Sequence, residues 1–147
     1  MKNLSKYVAS FFGIGFLPVG PGTWGSAAGA VIAWYSGDAL LTISILFMAA
    51  GFWAATKAEQ DFGSKDPGAF VLDEVCGMML TVLLLPRVLW LYGAAFVLFR
   101  LLDIWKPWPI SKIQACSKSW SIMGDDLAAG ILANIILRGI LMATGKL

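Results

Sequence analysis

Three charges between Phe99 and Pro109, namely Arg100, Asp103 and Lys106, follow one another at intervals of three residues. On a continuing helix they share one face, and Pro107 with Pro109 predicts that the helix closes just after Lys106. One carboxylate between two cations suits phosphate chemistry. The guanidinium fork and the ammonium can both hold phosphate oxygens, while the carboxylate can take a metal ion or orient water. The twelve residues before the cluster, Val88 to Phe99, carry no charge, so the cluster sits where an apolar helix meets water. Charges at that depth are costly unless they are paired or functional. The plainer reading is an interfacial girdle of snorkelling cations with tryptophans at headgroup level.

Two further acidic groups, Asp73-Glu74 and Asp125-Asp126, also stand where an apolar segment meets a polar one. Five carboxylates brought together would repel one another, and the usual remedy is a bound divalent cation. The chain has no histidine, and Cys76 and Cys116 are far apart with no second ligand nearby. The donors are therefore oxygens, which points to Mg²⁺ or Mn²⁺. Neighbours on a helix do not face the same way, so at most one residue of each acidic pair is expected to touch the cation. The other would orient water or a hydroxyl. Lack of histidine also excludes Ser-His-Asp triads and histidine-dependent phosphatases. Cys116 is followed by Ser-Lys-Ser-Trp-Ser-Ile, without the arginine of a cysteine phosphatase loop, and Asp-x-Asp does not occur. The Pro18 to Ser26 segment could add backbone N–H groups and the Thr23 and Ser26 hydroxyls as phosphate donors. Together these groups suggest metal-assisted phosphoryl transfer to water.

The elements that must position these residues are those of an integral membrane protein. Hydrophobic residues make up 59% of the 147 and charged residues 14%, against roughly 45–50% and about 25% in ordinary globular chains. One domain over residues 1–147 is expected, and no boundary is visible within it. Net charge is +2 and no run of basic residues occurs, so a nucleic-acid partner is not expected. The start, Met-Lys-Asn-Leu-Ser-Lys before an apolar stretch, resembles a signal peptide, but Gly13, Gly15, Pro18, Gly20, Pro21 and Gly22 break that stretch, and it is expected to be retained.

Residues 4–16 read as a short helix or interfacial segment and 17–25 as an irregular loop. A helix would then run from Ser26, capped by its hydroxyl, to Tyr35. Irregular backbone at membrane depth is tolerated where it lines a protein cavity, so this loop is expected to line a site. Ala39 to Thr56 is a charge-free run of 18, about 27 Å as a helix and the clearest spanning segment. Lys57 to Asp66 reads as a polar loop. Val75 to Leu85 and Val88 to Phe99 are each too short to span, at roughly 18 Å. They fit a hairpin turning at Pro86, which returns Asp73-Glu74 and the Arg100 cluster to one face. Residues 107–124 read as an amphipathic interfacial segment. Gly124-Asp125-Asp126 then opens the last apolar helix, Leu127 to Ala143, where two carboxylates would also suit the helix dipole. Lys2 and Lys6, with Lys106, Lys112 and Lys118, place residues 57–74 and 100–126 together on the cytoplasmic side. The expected class is all-α: a polytopic membrane helical bundle with partial or broken helices and a carboxylate-rich site at one membrane face.

Four motifs in order carry a resemblance over nearly the whole chain. They are Leu17-Pro18 to Pro21-Gly22-Thr23-Trp24-Gly25-Ser26, then Asp73-Glu74 with Gly77-Met78, then Phe99-Arg100-x-x-Asp103-x-x-Lys106-Pro107-x-Pro109, and last Asp125-Asp126-x-x-Ala129-Gly130. The chain resembles the phosphatidylglycerophosphatase A family, bacterial membrane enzymes that remove the terminal phosphate of phosphatidylglycerophosphate with Mg²⁺. The resemblance implies catalytic roles for Asp73, Glu74, Asp103, Asp125 and Asp126, with metal ligands among Asp73, Glu74, Asp103 and Asp126. Arg100, Lys106, Thr23 and Ser26 are the expected phosphate-binding residues. It further implies a multi-pass protein of the bacterial cytoplasmic membrane, its site facing the cytoplasm, with a phospholipid as substrate; it sets no oligomeric state. One departure stands out: where the family has a glycine-rich approach to the paired aspartates, this chain reads Lys118-Ser119-Trp120-Ser121-Ile122-Met123-Gly124. Serine restricts a loop that glycine leaves free. Two competing readings from the residues are a small transporter or channel component that binds an anion without reacting with it, and a structural membrane subunit whose charges pair only with one another.

Overall fold

The computed structural model describes residues 2–63, 67–116 and 118–146. Its helices in chain order are α1 (Lys2–Ala9), α2 (Pro21–Ser36), α3 (Leu40–Ala55), α4 (Ala58–Phe62), α5 (Leu72–Val82), α6 (Leu89–Trp105), α7 (Ile110–Gln114) and α8 (Ser121–Ala143). The fold is all-α among the described residues. Of the expected polar loop Lys57 to Asp66, the residues Ser64 to Asp66 lie outside the described residues.

The shortest of the apolar helices is the one the others surround. Helix α5 packs against α2, α3, α6 and α8, and Leu72, Val75, Cys76, Met78, Met79 and Val82 are all buried along it. A helix apolar on every side belongs inside. Its 11 residues rise only about 16 Å, half of a hydrocarbon core. Close approach makes that burial possible: a Cβ on Gly130 of α8 would collide with the carbonyl oxygen of Gly77, so a side chain there would push α8 off α5.

Because α5 ends inside the bundle, its last carbonyls need donors from elsewhere. Asn134 of α8 supplies them, its amide donating to the carbonyls of Leu80 (3.2 Å), Thr81 (2.9 Å) and Leu83 (2.9 Å). Arg138 holds that amide by donating from Nε to Asn134 Oδ1 at 3.0 Å, and its Nη2 reaches the Leu84 carbonyl at 3.1 Å. Pro86 lies in the turn that follows, and α6 runs back alongside α5, as the expected hairpin requires.

Among the described residues two stretches are long and apolar enough to cross a membrane, Pro21–Ala55 and Ser121–Ala143. The first cannot be one straight rod. Its 35 residues would extend about 52 Å, yet Gly22 near its start lies against Glu74 and Ala55 at its end lines the same cavity as Glu74. The chain therefore doubles back at Gly37, whose φ of 55° and ψ of −130° interrupt the helix between α2 and α3. The outward side chains of Leu41, Ile45, Leu46, Leu101, Ile131, Ile135 and Ile140 are half or more exposed. So much contiguous exposed apolar surface suits lipid better than water.

Two helix starts differ from expectation. Helix α2 begins at Pro21 rather than Ser26, with Gly20 as its N-cap residue; a proline at the first helical position loses nothing, since its missing N–H would be unpaired there. The irregular loop is correspondingly short, and Ser26 is no cap: its hydroxyl donates back to the Gly22 carbonyl at 2.8 Å inside the helix. Helix α8 begins at Ser121 rather than at Gly124, so Asp125 and Asp126 lie beyond its first turn. The helix dipole, which acts on the first turn, does not account for that pair.

Candidate active site

The starts of α2, α5 and α8 and the ends of α3 and α6 meet at one end of the bundle. Helix α5 brings Asp73 and Glu74 in its first turn, where carboxylates are favoured by the dipole. From α8 comes Asp126, and one carboxylate oxygen of each of these three lies within 4.8 Å of the others. Asp73 Oδ1 accepts a hydrogen bond from the Glu74 amide at 3.0 Å. The shorter side chain is thus folded against the backbone while the longer glutamate reaches across. Both members of the pair face the cluster, which corrects the expectation that only one could. Asp125 turns to Lys106, while Asp126 joins Asp73 and Glu74.

The cations are held by carboxylates on either side. Arg100 Nη1 donates to Asp103 Oδ2 at 2.5 Å and lies 3.7 Å from Glu74 Oε1. Lys106 donates to Asp125 Oδ2, and its Nζ is 3.9 Å from Asp103 Oδ1. Burial works against the Lys106 ammonium, but the hydrogen bond to Asp125 and the charges of Asp125, Asp126 and Asp103 outweigh it, so its pKa stands above the ordinary lysine value. Lys106 sits at the end of α6 with a left-handed φ of 47°, a backbone state uncommon for a side-chain-bearing residue and frequent at functional sites. Asp73, Asp103, Asp125 and Asp126 retain at most 8% of their surface.

Four buried carboxylates and the half-buried Glu74 stand against two cations, so acidic groups are in excess in the cluster. Two buried atoms, Glu74 Oε2 and Arg100 Nε, have no hydrogen-bond partner among the described residues. Buried polar atoms are rarely left so without a ligand, ion or water to satisfy them. Three converging carboxylates, one with an unpartnered oxygen and with no sulfur or nitrogen ligand among them, fit a hard divalent cation.

A cavity of about 340 Å³ opens on this cluster. Asp73, Glu74, Asp103, Lys106, Asp125 and Asp126 are on its wall. Arg100 stands behind them, with the Ser26 hydroxyl 3.5 Å from its Nη1. Thr23 is exposed at the start of α2, and neither Thr23 nor Ser26 lines the cavity. The far wall was not anticipated: Gln114, Cys116, Lys118, Ser119 and Ser121 line it. They belong to a segment whose tryptophans and lysines read as membrane interface, and its nearness in sequence to Asp125 was the available signal.

The family model for phosphatidylglycerophosphatase A matches residues 7–141. The chain belongs to that family. It is 38% identical to phosphatidylglycerophosphatase A of Escherichia coli (strain K12), covering 93% of this chain and 83% of that protein. The Haemophilus influenzae protein of the same name is 35% identical over 93% of this chain and 88% of its own length. A Bacteroides thetaiotaomicron protein provisionally named a phosphatidylinositol-3-phosphatase is also 35% identical, over 91% of each chain. No solved structure matches. Family membership makes this chain a phosphoric monoester hydrolase of phospholipid metabolism, and the transporter and structural-subunit readings fall away.

Proposed function

We propose that the acidic end of the bundle is where this phosphatase hydrolyses phosphatidylglycerophosphate to phosphatidylglycerol and phosphate, with Mg²⁺, or Mn²⁺ in its place, held by Asp73, Glu74 and Asp126. The observation that carries the reading is the convergence of those three carboxylates, from two helices, beside two cations that suit a phosphate. Asp103 adds to the set: its Oδ2 is taken by Arg100, its Oδ1 lies 3.9 Å from the Lys106 ammonium, and its carboxylate is on the cavity wall with Asp126, where it could meet a cation or water. A bound divalent ion would supply Lewis-acid stabilisation of charge on the phosphate.

The chain's own residues do the rest. The terminal monoester enters the cavity, and the Lys106 ammonium and the Arg100 guanidinium bind its oxygens and offset the charge that develops on them. Arg100 can swing to the phosphate from Asp103, with Ser26 supporting it; Thr23, exposed at the start of α2 and off the cavity wall, is given no part in holding the phosphate. Asp103 Oδ1 orients the attacking water. The water oxygen bonds phosphorus, the bond from phosphorus to the glycerol oxygen breaks, and a proton from that water ends on the glycerol oxygen. Asp125 keeps Lys106 charged and aimed.

In the membrane, α2, α3 and α8 would be the spanning arms, with α5 a half-length helix enclosed by the bundle and α6 the return leg of its hairpin, residues 1–147 making one domain. Lys6, Lys57, Lys106, Lys112 and Lys118 lie toward the acidic end, which supports a multi-pass protein of the bacterial inner membrane with that end at the cytoplasm. The test is phosphate release from phosphatidylglycerophosphate by the purified chain in detergent. Wild type turns over, and Asp103→Asn, which keeps the shape and removes the charge, inserts normally and does not. Activity of Asp103→Asn within about twofold of wild type would reduce the cluster to an interfacial girdle.

A further inference from the structure

Of the two lysines on the cavity wall, Lys106 is engaged by Asp125 and Asp103, whereas Lys118 takes part in none of the ion pairs found among the described residues. An unengaged cation in a cavity otherwise dominated by carboxylates is a place for a second anion. The turn that carries it is fixed. Ser121 donates to the Lys118 carbonyl from its backbone N–H at 2.9 Å, and its buried hydroxyl lies 2.7 Å from both the Lys118 and Cys116 carbonyls. A glycine at 121 could not make the hydroxyl contacts, so the serine that departs from the glycine-rich pattern is what braces the turn.

The proposed substrate carries two phosphates, a terminal monoester and, one glycerol away, a diester that joins the headgroup to the diacylglycerol. We propose that Lys118 forms a second anion subsite in this cavity, holding the phosphodiester of the lipid while Arg100 and Lys106 hold the monoester. This rests on the phosphatidylglycerophosphate reading. Gln114 lines the same cavity, and its amide can bond the hydroxyl of the intervening glycerol. Lys118 is then a specificity-determining residue: it separates lipids with a diester between monoester and diacylglycerol from lipids whose only phosphate is the monoester.

The test compares kcat/KM for phosphatidylglycerophosphate with that for phosphatidic acid, which has one phosphate, using the full chain in mixed micelles. In Lys118→Ala the preference for the two-phosphate lipid falls about fivefold, the scale of one lysine acting on an anionic lipid surface, through KM rather than kcat, and Lys118→Arg restores it. The side chain is exposed and makes no hydrogen bond among the described residues, so both variants should fold. An equal loss on both lipids would mean general attraction to anionic surfaces and would overturn the subsite, as would an unchanged preference. Wild-type chain that turns over phosphatidic acid but not phosphatidylglycerophosphate overturns the substrate reading and the subsite with it.

Discussion

The two ends of α5 are built on opposite terms. At its C-terminal end, Asn134 and Arg138 supply donors to the carbonyls of Leu80, Thr81, Leu83 and Leu84, so the polar groups of that end are satisfied within the protein. At its N-terminal end, three carboxylates are crowded together and Glu74 Oε2 is left without a partner. Polar groups in an apolar interior are costly when unsatisfied, and nothing prevents the second end from being completed as the first is. The first end is closed by donors from α8; the second concentrates acidic groups, an arrangement that a bound cation would stabilise.

The comparison breaks most sharply at Asp126. Asp126→Asn preserves volume while removing one of the three converging charges, so turnover should fall by about a thousandfold or more, with normal insertion and thermal stability equal to or above wild type, since a buried repulsion is relieved. Loss of stability in step with loss of activity would mean that the carboxylate is structural. Arg100→Lys comes next: it keeps the charge and loses the fork, and a bidentate contact of roughly 2–4 kcal/mol corresponds to turnover slowed about 30- to 1000-fold. Steady-state rates on purified protein decide it, and a change within twofold would remove Arg100 from phosphate binding.

The smallest effect on chemistry belongs to the far end. Asn134→Leu removes the side-chain donor from three carbonyls, of which Leu80 keeps the Leu83 N–H, and should lower unfolding stability by about 1–3 kcal/mol, seen as a lower melting temperature in detergent. Turnover per folded molecule should stay within about threefold of wild type. A larger loss at unchanged stability would show that the two ends are coupled through α5.

Much of the acidic end was legible in the sequence. Charge-free legs too short to span, divided at Pro86, already required a hairpin, and the hairpin already required Asp73-Glu74 and Arg100 to meet. What was less legible depended on local geometry. Ser26 carries a good capping side chain, but Pro21 can start a helix with no cap and took the start five residues earlier. The facing rule for neighbouring residues holds for side chains of equal reach, and it failed at Asp73-Glu74 because glutamate is one methylene longer and stands in a first turn. Asn134 and Arg138 lie in a run read only as apolar; their role depends on where another helix ends, which no local pattern records.

The most direct test of the carboxylate cluster as a metal-dependent phosphatase site is phosphate release from phosphatidylglycerophosphate after exhaustive chelation, followed by titration with Mg²⁺ and with Mn²⁺. Turnover should vanish on chelation and return saturably with either ion in wild type, and should not return in Asp126→Asn at the same concentrations. Full turnover by the chelated wild-type protein would contradict the account.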